Sequence, residues 1–196
     1  MLRQYMVDRD SERLASFDIE VLGDDPGVNM PNDSEMAGRL VATNYAFVFL
    51  ATMHKTVVSR ALDNPNTFIE TDSNELGGVI SGPDNLYMIG HWIVADDEAL
   101  IIDIMPLETR YWNLALETIW HESVDYLHRP TSLTKSEVIY QSDGSVRFVV
   151  AKQNPGVDNW LDPMGVNRGF MTFRWLDSHD QTVAKPKVKL IKVSDL

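Results

Sequence analysis

Val146-Arg147-Phe148-Val149-Val150-Ala151 and Phe170-Met171-Thr172-Phe173-Arg174-Trp175 bracket the run Asn154-Pro155-Gly156-Val157-Asp158-Asn159-Trp160-Leu161-Asp162-Pro163-Met164-Gly165. In the last of the flanking runs Met171, Phe173 and Trp175 alternate with Phe170, Thr172 and Arg174. That period of two marks a strand with two unlike faces. The run between them is too long and too specific for a simple turn: Pro and Gly punctuate it, and oxygen-bearing side chains and one Trp fill it. Loops of this kind on a rigid scaffold commonly carry function.

Working outward, Leu86–Val94 and Ala99–Met105 are short apolar runs separated by Ala95-Asp96-Asp97-Glu98, the punctuation of a β-hairpin. Tyr111–Trp120 read as a strand places Trp112, Leu114, Leu116 and Trp120 on one face, whereas a helix scatters them. Val138–Tyr140 and Val146–Ala151 flank Ser142-Asp143-Gly144-Ser145, in which Asp-Gly signals another hairpin. Val188, Leu190 and Lys192 close the sheet, and the spacing of Lys185, Lys187 and Lys189 suits a charged edge strand.

The first third reads differently. Asp33 or Ser34 caps a helix after Pro31, and the helix runs to about Leu62, where Asn64-Pro65-Asn66 ends it. Met36, Leu40, Val41, Phe47, Val48, Ala51, Val57, Val58 and Leu62 recur mostly at three and four, which predicts a wide buried stripe. Phe68–Asp84 is polar and Gly-rich, and reads as turns. The order of elements predicts a mainly β protein with a helical N-terminal part: an antiparallel β-sandwich plus one long α-helix, with room for a second helix at the N-terminus. Residues 1–77 form the N-terminal segment with the helix, about 33–62, and 78–196 form the sandwich.

Composition narrows the function. The chain has 196 residues, 44% of them hydrophobic, and can bury a real core. A formal charge of −12 makes attraction to phosphate backbones unfavourable, so no nucleic-acid partner is expected. With no Cys, disulfides, thiolate zinc sites and Cys nucleophiles are excluded; no structural metal and no cofactor is expected, and the setting expected is cytoplasmic. Met1–Asp10 carries four charges and does not read as a secretory signal. Leu40–Met53 is shorter than the ~20 residues a spanning helix needs, so no membrane span is expected.

Gly82-Pro83-Asp84-Asn85-Leu86-Tyr87, Asp97-Glu98-Ala99-Leu100, Tyr111-Trp112-Asn113, Ser123-Val124-Asp125-Tyr126, Asp143-Gly144 and Pro155-Gly156-Val157-Asp158-Asn159-Trp160-Leu161-Asp162 occur in this order. In them the chain resembles bacterial proteins carrying the C-terminal "domain of unknown function 1214", over roughly Gly78–Leu196 and more weakly over the helix. The most specific block is Pro-Gly-x-x-Asn-Trp-Leu-Asp, followed by Gly169 and Arg174-Trp175. The resemblance implies a jelly-roll-like β-sandwich and no established reaction. Typical members carry a further region before the long helix, so the chain resembles the C-terminal half of one. It departs from the family at Thr134, where Asn is usual after Ser-Leu, and at Pro163, where Thr often follows the Asp.

Several residues qualify as site candidates. His121-Glu122-x-x-Asp125 lacks the second His of the zinc-protease helix, and in a strand its ends lie about 13 Å apart. Tyr87 and His91 share one strand face beside Asp84 and Asn85, and a His and a Tyr so placed can supply acid and base; a polar, half-solvated outer face is the competing explanation. No Gly-x-Ser-x-Gly elbow, phosphate loop or dinucleotide fingerprint is present. Asn154, Asp158, Asn159 and Asp162 suit backbone-capping hydrogen bonds in the long loop, since their spacing matches no calcium loop. Trp160 either folds inward as a lid or faces outward as a stacking platform, and Leu161 beside it favours the lid.

The leading expectation is therefore a noncatalytic or accessory small-molecule- or glycan-binding β-sandwich. Its site would join Asp84 and Asn85 to Asp158, Asn159, Trp160 and Asp162. The alternative is an enzyme acting on a small hydrophobic or glycosidic substrate through Tyr87, His91, His121 or the loop carboxylates. A third expectation is a homo-oligomer formed through the long helix.

Overall fold

A computed structural model describes residues 10–20, 30–71, 85–178 and 184–196, together with 4, 6, 22, 23, 27 and 182. The chain forms two compact units, Met1–Leu50 and Ala51–Leu196. The boundary expected at 77/78 lies outside the described residues, as does Asp84.

Helix α1 spans Asp33–Leu62. Its cap is Asn32 rather than Asp33 or Ser34: the Asn32 side-chain oxygen accepts from the Glu35 amide at 2.9 Å, and Glu35 accepts from the Asn32 amide at 2.9 Å. This reciprocal box satisfies two amides that the first turn leaves free. The apolar stripe is not buried as expected. Met36, Leu40, Val41, Phe47 and Val48 are exposed, while Ala61 and the half-buried Val58 in the last turns pack against Ile89 and Phe170. No other described residue is helical before Asp33.

The sandwich has two sheets. Among the described residues the first holds β1 (Thr67–Thr71), β2 (Leu86–Ile93), β8 (Arg168–Leu176), β4 (Tyr111–Glu117) and β5 (Ser132–Thr134), paired in that order. The second holds β7 (Trp160–Leu161), β6 (Val146–Ala151), β3 (Glu98–Ile104) and β9 (Lys187–Lys192). Every pair is antiparallel except the short β6–β7 pair. The fold is thus mostly β with one long helix. β9, carrying Lys187 and Lys189, is an edge strand as its sequence suggested.

Between the sheets lies an aromatic core. Trp92, Trp112, Phe148, Phe173 and Trp175 are all buried, with Phe173 and Trp175 stacked at 5.1 Å and Phe148 edge-on to Phe173 at 5.7 Å. Offset and edge-to-face contacts of this kind add to the free energy of burying the rings. The alternation of β8 holds: Met171, Phe173 and Trp175 enter the core.

Four local expectations are corrected. Thr67–Thr71 is a strand, because Asn66 adopts a left-handed turn (φ 57°) and its side chain bonds both the amide and the carbonyl of Ile93, at 2.8 and 3.0 Å. That clamp aligns β1 on β2. Residues 94–97 form no hairpin but carry the chain from one sheet to the other, with Val94 buried at the crossing. Val138–Tyr140 is not a strand; Tyr140 packs edge-on to Trp112 instead, at 6.5 Å. β4 ends at Glu117, so Trp120 leaves the apolar face and is 78% exposed.

Gly169 is required by close packing. A Cβ there would meet the Glu117 carbonyl oxygen and, at 2.8 Å, the Trp92 ring. Gly169→Ala is expected to cost about 1–3 kcal/mol by overpacking, read as a lower urea midpoint. Gly38→Ala on α1, where a Cβ meets nothing within 4 Å, is expected to be neutral or to stabilise by up to about 1 kcal/mol. Equal responses of the two variants would contradict the packing argument.

Candidate ligand site on the outer face of the five-stranded sheet

Because side chains alternate, the residues of β8 that do not enter the core line the sheet's outer face. Register places them in three rows. Thr67, His91, Phe170 and Glu117 form the first row, Ile69, Ile89, Thr172, Ala115 and Ser132 the second, and Thr71, Tyr87, Arg174, Asn113 and Thr134 the third. The end of α1 covers Ile89 and Phe170. Further along, the face is open and forms a cavity of about 240 Å³ whose walls include Asn113, Glu117, Ser123, Tyr126, Thr172 and Arg174.

Its lining is mixed, with Ala115, Leu116 and Val124 beside the polar groups. The Arg174 guanidinium lies over the Tyr87 ring, 5.1 Å from its centroid, and has no carboxylate partner among the described residues. The cation–π contact fixes the guanidinium while leaving its N–H groups available. Asn85 donates to the Tyr87 hydroxyl at 3.2 Å, which anchors that ring in turn. Asn113 donates to Ser132 at 3.5 Å, and its side-chain oxygen is buried without a donor among the described residues. Across the strands, Tyr111 is pushed above the ordinary phenol range by burial, an effect that Arg174 opposes.

At the far wall His121 and Glu117 form a pair, Nδ1 to Oε2 at 2.6 Å. Rather than lying in a strand, His121 sits in a turn with φ 57°, its ring stacked on Phe170 at 3.9 Å and 17°. Phe170 therefore contacts two imidazoles, since His91 lies 5.5 Å away at a 45° tilt. His91 is only 4% exposed, and neither of its ring nitrogens has a partner among the described residues. Burial, and then the charge of Arg168, lowers its pKa. Of the three acid–base candidates, Tyr87 lies beneath Arg174, His91 is sealed in, and only His121 borders the cavity, through Glu117.

The long loop lies elsewhere. Asn159 (φ 52°) spends its amide on the Ile139 backbone and the Arg147 carbonyl, at 2.8 and 3.0 Å. Asp162 accepts from Arg129 at 2.8 Å and from the Met164 amide at 2.7 Å, and Asn154 accepts from the Gly156 amide. Trp160 lies half-buried on the outer face of the four-stranded sheet, against Ala99, Ile101 and Val149, and donates to the Ala151 carbonyl at 2.7 Å. Asp158 lines a second hollow of about 590 Å³ on that sheet, beside Arg147 and Lys189. Asn85 precedes β2 of one sheet, whereas Trp160 lies in β7 of the other, and neither of these two cavities is lined by both Asn85 and the loop.

What the sequence did not single out as site residues is Asn113, Glu117, Thr172 and Arg174. Their signal was the polar half of the β4 and β8 alternation. Among the described residues no group of three or more His, Asp or Glu side chains is arranged to hold a metal ion, and no described helix is long and apolar enough to cross a membrane.

No protein-family model matches the chain, and no curated protein matches it. Among solved structures it is similar to an uncharacterised protein from Burkholderia cenocepacia, at 31% identity and a TM-score of 0.65, over 70% of this chain and 38% of that one. It is also similar to a protein from Vibrio parahaemolyticus, at 14% identity and a TM-score of 0.46, over 86% of this chain and 48% of that one. The chain thus spans less than half the length of either.

His91 gives the fold a pH dependence. The unfolded chain takes up the imidazole proton near 6.5, the folded chain only at lower pH. Below about pH 6.5 the unfolded state therefore binds more protons, and stability falls as pH falls. Urea unfolding at pH 7 and pH 5 should show this loss, and His91→Leu should remove part of it; an unchanged slope in the variant would show that His91 is not the group responsible.

Proposed function

We propose that the chain is a small-molecule-binding β-sandwich whose ligand occupies the cavity on the outer face of the five-stranded sheet. The carrying observation is Arg174: a guanidinium fixed over Tyr87, without a carboxylate partner among the described residues, on the wall of the hollow. At about 240 Å³ the hollow is slightly smaller than most ligand pockets and suits a small ligand. The long loop contributes structure rather than ligand contacts in this reading, because Asn154, Asn159 and Asp162 already bond the backbone. NMR titration of the labelled chain with a set of sugars, hydroxy acids and amines tests it. Ligands should shift Asn113, Glu117, Thr172 and Arg174 together, and Arg174→Ala should abolish the shifts with an unchanged melting temperature. Binding that maps to the hollow beside Asp158 would overturn the assignment.

The Glu117–His121 pair favours a second reading, in which the same cavity performs acid–base chemistry on its ligand. The short blocks that resemble the domain of unknown function 1214 support placing the chain with that group, and the absence of Cys supports a reducing, cytoplasmic setting.

We also propose that the middle of α1, residues 40–53, pairs with a second copy of the chain. Its exposed side chains include Leu40, Tyr45, Phe47 and Phe49, and residues 40–53 contain no Asp, Glu, Lys or Arg, so pairing would bury no charge. Sedimentation at micromolar concentration should give a dimer that Leu40→Glu with Phe47→Glu returns to monomer. A monomeric parent chain would overturn the proposal.

A further inference from the structure

Building on the ligand-site assignment above, we infer that the ligand is a small hydroxylated carboxylic acid of about sugar-acid size, with its carboxylate on Arg174 and its hydroxyls toward Asn113, Thr172 and Glu117.

The two ends of the cavity differ in charge. Asn113, beside Arg174 in the register, and Glu117 are four residues apart on β4, hence about 13 Å along the strand. Side chains from both ends project into the space, leaving room for a ligand of sugar size. The cavity of about 240 Å³ holds about eight waters at their liquid volume.

At one end the available group is a guanidinium, whose planar fork matches a carboxylate in two parallel hydrogen bonds. Neighbouring Asn113 has a buried oxygen without a donor, which a ligand hydroxyl can satisfy. Around the middle the hydroxyl-bearing Ser123, Ser132 and Thr172, suited to hydroxyls on a ligand, stand among the apolar Ala115, Leu116 and Val124, suited to its carbon-bound faces. Glu117 at the far end is already engaged by His121 at 2.6 Å. Its other carboxylate oxygen is left to accept from a ligand hydroxyl.

The same features disfavour the neighbouring classes. A phosphate would meet a single guanidinium, no lysine in the cavity wall, and Glu117 in the same space. An amine could reach the second carboxylate oxygen of Glu117 but would set its positive charge in the same space as the Arg174 guanidinium and leave that guanidinium unanswered. A neutral sugar fits the mixed middle of the cavity but forgoes the charge-assisted bonds to Arg174.

The test follows the Arg174 side-chain N–H and the Asn113 side-chain amide by NMR in the full chain. Galacturonate, glucuronate and gluconate are titrated against galactose, glucose and sorbitol, with inorganic phosphate and 6-aminohexanoate as further arms. At least one acid should shift both signals and saturate, binding about tenfold or more tighter than its uncharged counterpart. Arg174→Gln should erase that preference, and Arg174→Lys should weaken it although the charge is kept. Melting curves of both variants should match the parent, since Arg174 is exposed. If the uncharged counterparts shift the two signals as strongly as the acids, or if phosphate or the amine binds tighter, the carboxylate class is wrong while the cavity stands as a site. If none of these probes moves either signal at millimolar concentration, both the class and the site assignment fall.

Discussion

Everything in the sandwich depends on the register of β8. This strand lies between β2 and β4, and its alternate residues do two jobs: Met171, Phe173 and Trp175 fill the core, while Phe170, Thr172 and Arg174 face outward. A slip of one residue would exchange the two sets, placing a guanidinium between the sheets and an indole in water. Core burial therefore fixes the position of every group on the outer face. Gly169 reinforces the constraint at the start of the strand, where Trp92 donates to the Phe170 carbonyl at 3.0 Å and its ring leaves no space for a side chain.

The order of elements was legible because it rests on local periodicity. The span of α1, the strands around Tyr111, Val146 and Phe170, and the charged edge of β9 follow from spacings within single segments. What could not be read depends on partners distant in sequence. The Ala95–Glu98 turn has hairpin chemistry, yet β3 pairs with β6 and β9 because the apolar faces of both sheets must meet. Thr67–Thr71 looked like loop because its strand character comes from pairing with β2. The helix stripe was read correctly as apolar, but periodicity carries no information about what covers it.

The site was legible in part. Tyr87, His91 and His121 all belong to the outer face or its border, but their roles differ with burial, which spacing does not reveal. In the long loop the backbone-capping role read for Asn154, Asn159 and Asp162 holds, because a segment without regular pairing must bond its backbone through side chains. Arg174 and Asn113 stand in the blocks that carry the family resemblance but not among the site candidates, because an isolated Arg or Asn on a strand is ordinary. Their meaning arises only when β8 and β4 lie side by side.

The stacking of His121 on Phe170 has a spectroscopic consequence. With the His121 ring stacked 3.9 Å above it, the carbon-bound protons of that imidazole lie within the shielding cone of the phenyl current. Their resonances are displaced upfield from those of His128, which is exposed and paired with Asp125. The His121 signals thus stand apart in an ordinary proton spectrum, an intrinsic label one side chain removed from the cavity wall.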